Sequence, residues 1–213
     1  MAARKVLTRA ESQAQTRDNL IDAAEELFLR DGYYATSIAA IAAEAGRTIG
    51  AVYSNFDNKE SLCLEVLRRR SSAELARLMS DLMAAPAGLD ARLVVISTWW
   101  ARLSSEVALS TLFAEYALSV LRDPEQHART RETAMKIVES GRTLFEDFAP
   151  EGVEASGPQM DRAVVALIAM GTGLAAGRAA DVVTAEQSAT ILSDSIRMWF
   201  REIGESVLAN TES

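Results

Sequence analysis

The most informative part of the chain is residues 36–62, which read TSIAAIAAEAGRTIGAVYSNFDNKESL. Thr36 is a good N-cap for a short helix, because its hydroxyl can accept a hydrogen bond from a free backbone N–H. Gly46 can adopt the left-handed conformation that a tight turn between helices requires. Thr48 can cap a second short helix that runs to about Asn55. Two short helices joined at a glycine are typical of a helix-turn-helix unit.

Longer helices are predicted on both sides of this pair. From Thr16 the apolar residues recur at helical spacing until Gly32, and Asn58 can cap a long helix that follows. Isolated helices this short are marginal in water, so the two short ones must be held by packing. Val52 and Phe56, four residues apart, are expected to point inward and provide it.

This combination of residues resembles the DNA-binding signature of the TetR family of transcriptional regulators. The resemblance covers about residues 16–67. The matching positions are Phe28, Gly32, Thr36, Ala45-Gly46, Gly50, Tyr53-x-x-Phe56 and Lys59-Glu60-x-Leu62.

The resemblance implies an all-α chain. An N-terminal three-helix helix-turn-helix DNA-binding domain is joined by a long helix to a C-terminal helical ligand-binding and dimerisation domain. The boundaries that follow are a flexible arm over residues 1–15, the DNA-binding domain over 16–67, and the effector-binding and dimerisation domain over 68–213. The implied function is a ligand-responsive DNA-binding regulator, a repressor released from a palindromic operator by a small, largely apolar effector.

The residues expected to contact DNA lie at the two short helices and just after them. Gly50 and Ala51 have almost no side chain, so the second short helix can sit close to the floor of a groove. The hydroxyls and the amide nearby suit phosphates and base edges, and Lys59 resembles the lysine of the family that contacts a backbone phosphate. The full set is Thr36, Ser37, Arg47, Thr48, Gly50, Ala51, Tyr53, Ser54, Asn55 and Lys59.

Two positions depart from the family pattern. Arg47 stands where many members have a hydrophobic residue, and it either contacts DNA or is simply solvated. Ile49 stands where many members have a lysine, and it could meet a thymine methyl. Further along, the basic run at residues 68–70 splays around a helix, so solvated ion pairs are expected there rather than a phosphate site.

The charge of the chain is unevenly distributed. Residues 1–70 hold 10 basic and 10 acidic side chains, whereas residues 71–213 hold 12 and 20, which accounts for the whole formal charge of −8. An acidic C-terminal part would turn the other end of the molecule toward DNA. Solubility alone explains the same distribution, and the sequence leaves both interpretations open.

The C-terminal part is predicted to consist of helices, with a loop over residues 149–158. The resemblance implies a small-molecule site there, and an apolar pocket with a few polar groups is the usual form of one. Trp99 and Trp100 are neighbours and cannot share one helix face. Ordinary core packing remains an alternative for each candidate pocket residue. The candidates are Trp99, Trp100, Phe113, Tyr116, Met135, Phe145 and Met170.

The resemblance also implies a homodimer in which the last two long helices pair with their copies. The first of these helices is rich in glycine, and glycine costs about 1 kcal/mol inside a helix unless a close approach compensates. A ligand tunnel lined by these small residues is the alternative. The residues expected at the dimer interface are Gly171, Gly173, Gly177, Leu192, Ile196, Trp199 and Ile203.

Other classes of function have little support in the sequence. Cys63 is the single cysteine, His127 is the single histidine, and no nucleophile–base pair, metal cluster or phosphate loop is evident, so neither enzyme activity nor a cofactor or metal is expected. No signal sequence or membrane span is expected, and a cytoplasmic location fits best. The expected partners are a double-stranded DNA operator, a small-molecule effector and a second copy. The rival is a helical ligand-binding or protein-interaction module without specific DNA binding.

Overall fold

The computed structural model describes residues 8–120, 124–148 and 157–211, and over these residues it contains helices and no strand. The helices are α1 (Arg9–Asp31), α2 (Ile38–Glu44), α3 (Ile49–Tyr53), α4 (Lys59–Ala84), α5 (Leu89–Leu103), α6 (Val107–Val120), α7 (Pro124–Phe148), α8 (Pro158–Ala179) and α9 (Ala185–Thr211). The predicted all-α fold is confirmed.

The described chain divides into two compact units. The first unit comprises the described parts of residues 8–71 and 112–128, and the second comprises those of residues 72–111 and 129–211. The division falls within α4, α6 and α7. The second half of α6, which the sequence assigned to the C-terminal domain, therefore belongs to the unit that contains α2 and α3.

Helix α1 begins earlier than predicted. The Thr8 side chain accepts a hydrogen bond from the Glu11 N–H at 3.2 Å, and the Glu11 carboxylate accepts one from the Thr8 N–H at 2.7 Å. This reciprocal cap satisfies two backbone donors that a helix start otherwise leaves unpaired. Residues 9–15 are therefore helical, whereas the sequence predicted a flexible arm there. Residues 1–7 lie outside the described part of the chain.

The starts of the next three helices are set by side-chain caps. Ser37 caps α2 by accepting from the Ala40 N–H at 3.1 Å, so the predicted cap at Thr36 is wrong by one residue. Thr48 caps α3 and Asn58 precedes α4 with its side chain accepting from the Ser61 N–H, as the sequence predicted. Gly46, between α2 and α3, has a φ of +61°, which confirms the left-handed turn.

The core of the first unit includes residues from both of its chain segments. Leu112, Tyr116 and Val120 of α6 are buried at four-residue spacing, so they share one helix face. They accompany the buried side chains of the N-terminal segment, which include Leu20, Ile21, Leu27, Phe28, Ile41, Val52, Phe56, Leu62 and Val66.

The second unit is built on α5, α8 and α9. Trp100 of α5 is buried at its centre and donates its indole N–H to the Ser188 hydroxyl of α9 at 2.7 Å. Gly171 of α8 lies beneath the same indole, since a Cβ placed there would be 3.5 Å from the ring. The buried members of this cluster are Leu93, Trp100, Leu167, Leu174, Leu192, Ile196 and Phe200.

Helix α8 is long and apolar enough to span a membrane if length and composition alone are considered. Its buried residues, however, belong to two apolar clusters that also contain residues of α5 and α9. A helix that packs in this way serves as a core helix of the second unit. The predicted loop before it falls mainly on residues 149–156, outside the described part of the chain.

Candidate nucleic-acid interface

Helix α3 is anchored from one side and open on the other. Val52 is fully buried beneath it and Phe56, just after it, is buried as well. Gly50 and Ser54 lie on the opposite side of the helix from Val52 and are exposed. Tyr53, on the flank, is 57% exposed. An exposed short helix held by an apolar anchor is the arrangement that a recognition helix needs in order to enter a major groove.

Nine of the ten predicted DNA-contacting residues are at least partly accessible. Those exposed are Ser37, Arg47, Thr48, Gly50, Tyr53 and Ser54, and those half-buried are Ala51, Asn55 and Lys59. Thr36 is different, because it is only 3% exposed and its hydroxyl donates to the Gly32 carbonyl oxygen at 2.7 Å. The structure therefore gives Thr36 a role inside the unit, and Ser37 takes its place at the surface.

Lys59 is tied to the loop between α1 and α2. Its ammonium group donates to the backbone oxygens of Tyr33 at 2.9 Å and Thr36 at 3.1 Å, and it lies 4.2 Å from the centre of the Tyr33 ring. Two of its three N–H donors are used in this way. The sequence suggested a phosphate contact for Lys59, and the structure adds a positioning role for the loop that leads into α2.

Tyr33 is the centre of the polar contacts around this loop. Its hydroxyl donates to the Glu60 carboxylate of α4 at 2.6 Å, and its backbone N–H donates to the Glu115 carboxylate of α6 at 2.6 Å. Burial and the neighbouring Glu60 raise the pKa of the Tyr33 phenol, so it stays protonated as a donor. A Cβ on Gly32 would come within 3.0 Å of the Glu115 carboxylate, so the loop and α6 approach each other closely.

A second residue that sequence reasoning missed is Arg17 of α1. Its guanidinium donates to the Asn55 carbonyl oxygen at 2.7 Å, just after α3, and stacks 4.2 Å from the centre of the Phe56 ring. It also lies 3.9 Å from the Glu65 carboxylate. The end of α3 is thus held by α1 and α4. No local pattern signals this role, because Arg17 and Asn55 are 38 residues apart in sequence.

The basic run on α4 is ion-paired, as predicted. Arg69 pairs with Asp22 at 2.6 Å and Glu25 at 2.8 Å, and Arg70 lies 3.6 Å from Glu25. Arg68 pairs with Glu65, and its hydrogen bond lowers the pKa of that carboxyl. The pairs of Arg69 and Arg70 join α4 to α1, whereas the pair of Arg68 lies within α4. All three arginines are thus paired with carboxylates rather than left for a phosphate.

The predicted pocket residues are not brought together around one cavity. Phe113 and Tyr116 belong to the first unit, where Tyr116 packs edge-on against Tyr33. In the second unit, Trp100 and Met170 belong to the α5–α8–α9 core, with Trp99 packed beside them, and Met135 is exposed. The side chain of Phe145 lies outside the described residues.

A small cavity in the second unit is lined by other residues. It measures about 30 Å³, enough for roughly one or two water molecules. Its walls come from α4, α5, α7 and α9. The lining residues are Leu82, Leu89, Arg92, Ile96, Leu144, Ile196 and Phe200. Sequence reasoning missed the set because its members share no local pattern.

Most of the predicted dimer residues are used within the protomer. Leu192, Ile196 and Ile203 are buried in the core of the second unit, and Trp199 packs against both of its apolar clusters. Gly171 faces Trp100, and a Cβ on Gly177 would meet Val183 at 3.2 Å. Gly173 alone of the seven is open, with no atom within 4 Å of an added Cβ. The apolar face of α9 that the sequence predicted at the dimer interface is therefore buried inside the protomer, and this corrects the prediction for Leu192, Ile196 and Ile203.

The described residues include neither a reactive cysteine nor a metal-binding group. Cys63 is buried, and burial raises the pKa of its thiol, so it is not a reactive thiolate. Within the described part of the chain, no group of three or more His, Cys, Asp or Glu side chains is arranged to hold a metal ion. Among the described residues, the accessible face of α3 is the candidate functional site.

Comparison with known proteins points to the same region. Residues 20–66 match the family described as bacterial regulatory proteins, tetR family. Over 60 residues, 28% of each chain, the protein is 43% identical to the HTH-type transcriptional regulator TtgR of Pseudomonas putida. Over 136 residues, 64% of this chain and 67% of the relative, it is 21% identical to the fatty acid metabolism regulator protein of Bacillus subtilis (strain 168).

Solved structures extend the similarity in fold to most of the chain. A candidate transcriptional regulator from Rhodococcus sp. RHA1 matches with a TM-score of 0.68 and 22% identity, over 85% of this chain and 94% of the other. FadR from Bacillus subtilis, solved in complex with stearoyl-CoA, matches with a TM-score of 0.61 and 17% identity, over 86% and 97%. At these identities the likeness concerns the fold.

Proposed function

Since residues 20–66 match the family of bacterial regulatory proteins named tetR, we propose that this chain is a cytoplasmic repressor, released from a palindromic operator by a small, largely apolar effector. The match of residues 20–66 to bacterial regulatory proteins supports DNA binding. The sign of regulation, the effector and the dimer are the proposal. The observation that supports DNA recognition most directly is the exposed face of α3 above the buried Val52.

A palindromic operator requires two copies of the recognition helix. Helix-turn-helix dimers place these helices about 34–36 Å apart, one turn of DNA. The proposed dimer surface is the side of α8 and α9 that faces away from the core of the second unit. Only 28% of the most apolar stretch of α8 is buried within the protomer. The exposed residues of this side are Val165, Ala169, Gly173 and Ala176 of α8 and Ile191 and Met198 of α9.

Exposed apolar surface of this kind is costly in water, and a second copy would cover it. The small side chains at 169, 173 and 176 allow two helices to approach closely. Sedimentation of the full-length protein should give the mass of a dimer. Replacing Ile191 with Lys should shift the protein toward monomer, because a charge would then be buried, whereas Val94→Lys on α5 should not.

The effector proposed here is an amphiphile with an acyl chain. The cavity in the second unit has apolar walls, which suits an acyl chain. The named activity of the Bacillus subtilis relative and the stearoyl-CoA bound to FadR support the same class.

The cavity is too small for such a molecule in this state, since ligand sites usually measure about 300–1,000 Å³. An acyl chain would therefore have to separate the helices around it. Leu82 lies in the wall and belongs to α4, which runs without a break from Lys59. A ligand that binds the opened state more tightly shifts the population toward that state, and this supports release from DNA as the response.

The DNA-binding part is tested on Tyr53. We expect Tyr53→Phe to weaken binding to a selected operator about tenfold, because a hydrogen bond to a charged phosphate is worth about 1.5 kcal/mol or more. Tyr34→Phe is the matched control, since Tyr34 is 59% exposed but lies outside α3. The readout is fluorescence anisotropy with a labelled duplex at fixed, moderate salt.

A module without specific DNA binding is the second candidate. The equal numbers of acidic and basic residues in positions 1–70 favour it, because most DNA-binding surfaces are basic. Selection from a random duplex pool decides between the two. An enriched sequence supports the regulator, and a pool in which no sequence exceeds random affinity supports the module.

The effector is tested by titrating a bound operator. Long-chain acyl-CoA should release the DNA, whereas acetyl-CoA and free CoA should not, because they lack the chain that fills the apolar cavity. Leu89→Arg should abolish the response without changing operator affinity. Equal release by acetyl-CoA would contradict an apolar effector site.

A further inference from the structure

Ile49 is a large aliphatic side chain exposed among small and polar neighbours at the start of α3. It is the first residue of α3 and is 48% exposed. Arg47, Thr48 and Gly50 beside it are exposed as well. Ile49 is not part of the buried core, which Val52 and Phe56 provide in this region. The fold does not require an isoleucine here, so its function has to be sought outside the molecule.

The polar side chains of α3 are partly used within the helix. The Thr48 hydroxyl oxygen accepts from the Ala51 N–H at 3.1 Å, and the Ser54 hydroxyl donates to the Gly50 carbonyl oxygen at 2.8 Å. The Asn55 amide donates to the Ala51 carbonyl oxygen at 2.8 Å. A hydroxyl has one hydrogen to donate, so Ser54 has none left for a base edge. Much of the recognition by this helix must come from other groups.

The position of Ile49 is suited to base contact. In a helix-turn-helix protein the N-terminal residues of the recognition helix contact base edges. The space beside Ile49 is open, because a Cβ on Gly50 would meet only the Thr48 hydroxyl, at 3.7 Å. The backbone at Gly50 can therefore approach the groove and bring the neighbouring isoleucine with it.

One base presents an apolar group in the major groove. Thymine has a C5 methyl there, whereas the other three bases present hydrogen-bond donors and acceptors. Burying an isoleucine against a polar base edge would remove water from donors or acceptors without replacing their hydrogen bonds. Burying it against a methyl group avoids that cost.

We propose that Ile49 is a specificity-determining residue that reads one thymine in each operator half-site by contact with its C5 methyl group. The inference rests on the proposed DNA-binding function and adds to it the identity of one base. It also assigns this recognition to a contact that needs no hydrogen bond.

The test removes the methyl group alone. The preferred operator is first selected from a random duplex pool with the full-length protein. Each thymine is then replaced in turn by deoxyuridine, which keeps the hydrogen-bonding pattern and lacks the methyl. We expect one position per half-site at which the replacement raises Kd about fourfold, the effect of one apolar carbon. If no thymine shows this sensitivity, the inference is overturned.

Variants of Ile49 test whether this side chain is responsible for the preference for thymine over deoxyuridine. Ile49→Ala should bind the thymine and deoxyuridine operators equally, while Ile49→Val keeps most of the discrimination. Val94→Ala removes another exposed β-branched side chain, on α5, and should leave the discrimination unchanged. Discrimination that persists in Ile49→Ala overturns the inference.

Failure of the inference is distinguishable from failure of the proposed function. If selection enriches no sequence at all, the protein has no specific operator, and both ideas are lost. If an operator is enriched but binds equally with thymine or deoxyuridine at every position, the regulator stands and the role of Ile49 does not. Far-ultraviolet circular dichroism checks that each variant is folded, and Ile49 is exposed enough for its replacement to be tolerated.

Discussion

The two units hold distant parts of their sequence together in different ways. In the first unit, polar contacts such as those of Arg17 with Asn55 and of Tyr33 with Glu60 and Glu115 add to the apolar anchors Val52 and Phe56. In the second unit the α5–α8–α9 cluster around Trp100 is apolar, with polar bonds such as those of Trp100 with Ser188 and of Arg102 with Glu74 beside it.

This difference fits the functions proposed for the two units. Hydrogen bonds are directional, so they fix the orientation of a short helix that has to meet base edges within a few tenths of an ångström. Apolar packing tolerates rearrangement as long as total volume is preserved. A unit held by apolar contacts can therefore open around an effector more easily than one held by a polar network.

The largest expected change in stability comes from the apolar core of the second unit. Trp100→Ala should lower the free energy of unfolding by about 3–5 kcal/mol, because it leaves a large cavity in the core of the second unit. Urea unfolding followed by circular dichroism measures the change. Trp100→Phe keeps most of the apolar area but leaves the Ser188 hydroxyl without its donor, and should cost about 1–2 kcal/mol. A loss below about 1 kcal/mol for Trp100→Ala would show that this cluster does not hold the unit.

An intermediate change in stability is expected when the hydrogen bonds of Tyr33 in the first unit are removed. Tyr33→Phe removes the hydrogen bond to Glu60, and Glu115→Ala removes the acceptor of the Tyr33 N–H. Each should cost about 1–3 kcal/mol, because a buried group loses its partner. Each should also weaken operator binding, since the loop leading into α2 is no longer held. Tyr34→Phe is the control, and its free energy of unfolding should change by no more than about 0.5 kcal/mol. Equal losses of stability in Tyr33→Phe and Tyr34→Phe would show that the hydrogen bonds of Tyr33 do not stabilise the first unit.

The smallest effect compares a glycine from each unit. Gly50 in α3 and Gly173 in α8 both have room for a Cβ, so alanine at either position should stabilise its helix by up to about 1 kcal/mol. Gly50→Ala should nevertheless weaken operator binding, whereas Gly173→Ala should weaken dimerisation. Thermal unfolding, anisotropy and sedimentation give the three measurements. A Gly50→Ala variant that binds DNA as tightly as the parent would show that α3 does not approach the groove at that residue.

Local signals were sufficient for the recognition helix. The left-handed turn at Gly46, the caps at Thr48 and Asn58, and the buried anchors Val52 and Phe56 are all legible in residues 36–62. Each depends on the conformation of one residue or on partners three or four positions apart. Such interactions are encoded in short stretches of chain, which explains why the family resemblance rests on them.

Contacts between residues that are far apart in the chain could not be predicted from the sequence. The sequence predicted a stripe of α9 with Leu192, Ile196 and Ile203 as an interface, and the structure buries that stripe inside the protomer. Periodicity shows that a helix has an apolar face but does not show which partner covers it. The predicted pocket residues illustrate the same point, because Phe113 and Tyr116 are aromatic like Trp100 but belong to a different unit.

The amino-acid sequence by itself determined that this chain is helical, that α3 begins after Thr48 and is anchored by Val52, and that its exposed face offers groups suited to DNA. Only the tertiary structure decided that Lys59 and Glu115 hold the loop at Tyr33, that Arg17 supports the end of α3, and that Gly173 faces outward. The physical reason is the separation along the chain of the residues that interact. A cap or a turn is decided by neighbours along the chain, whereas a hydrogen bond between residues 33 and 115 exists only after the elements that carry them have packed.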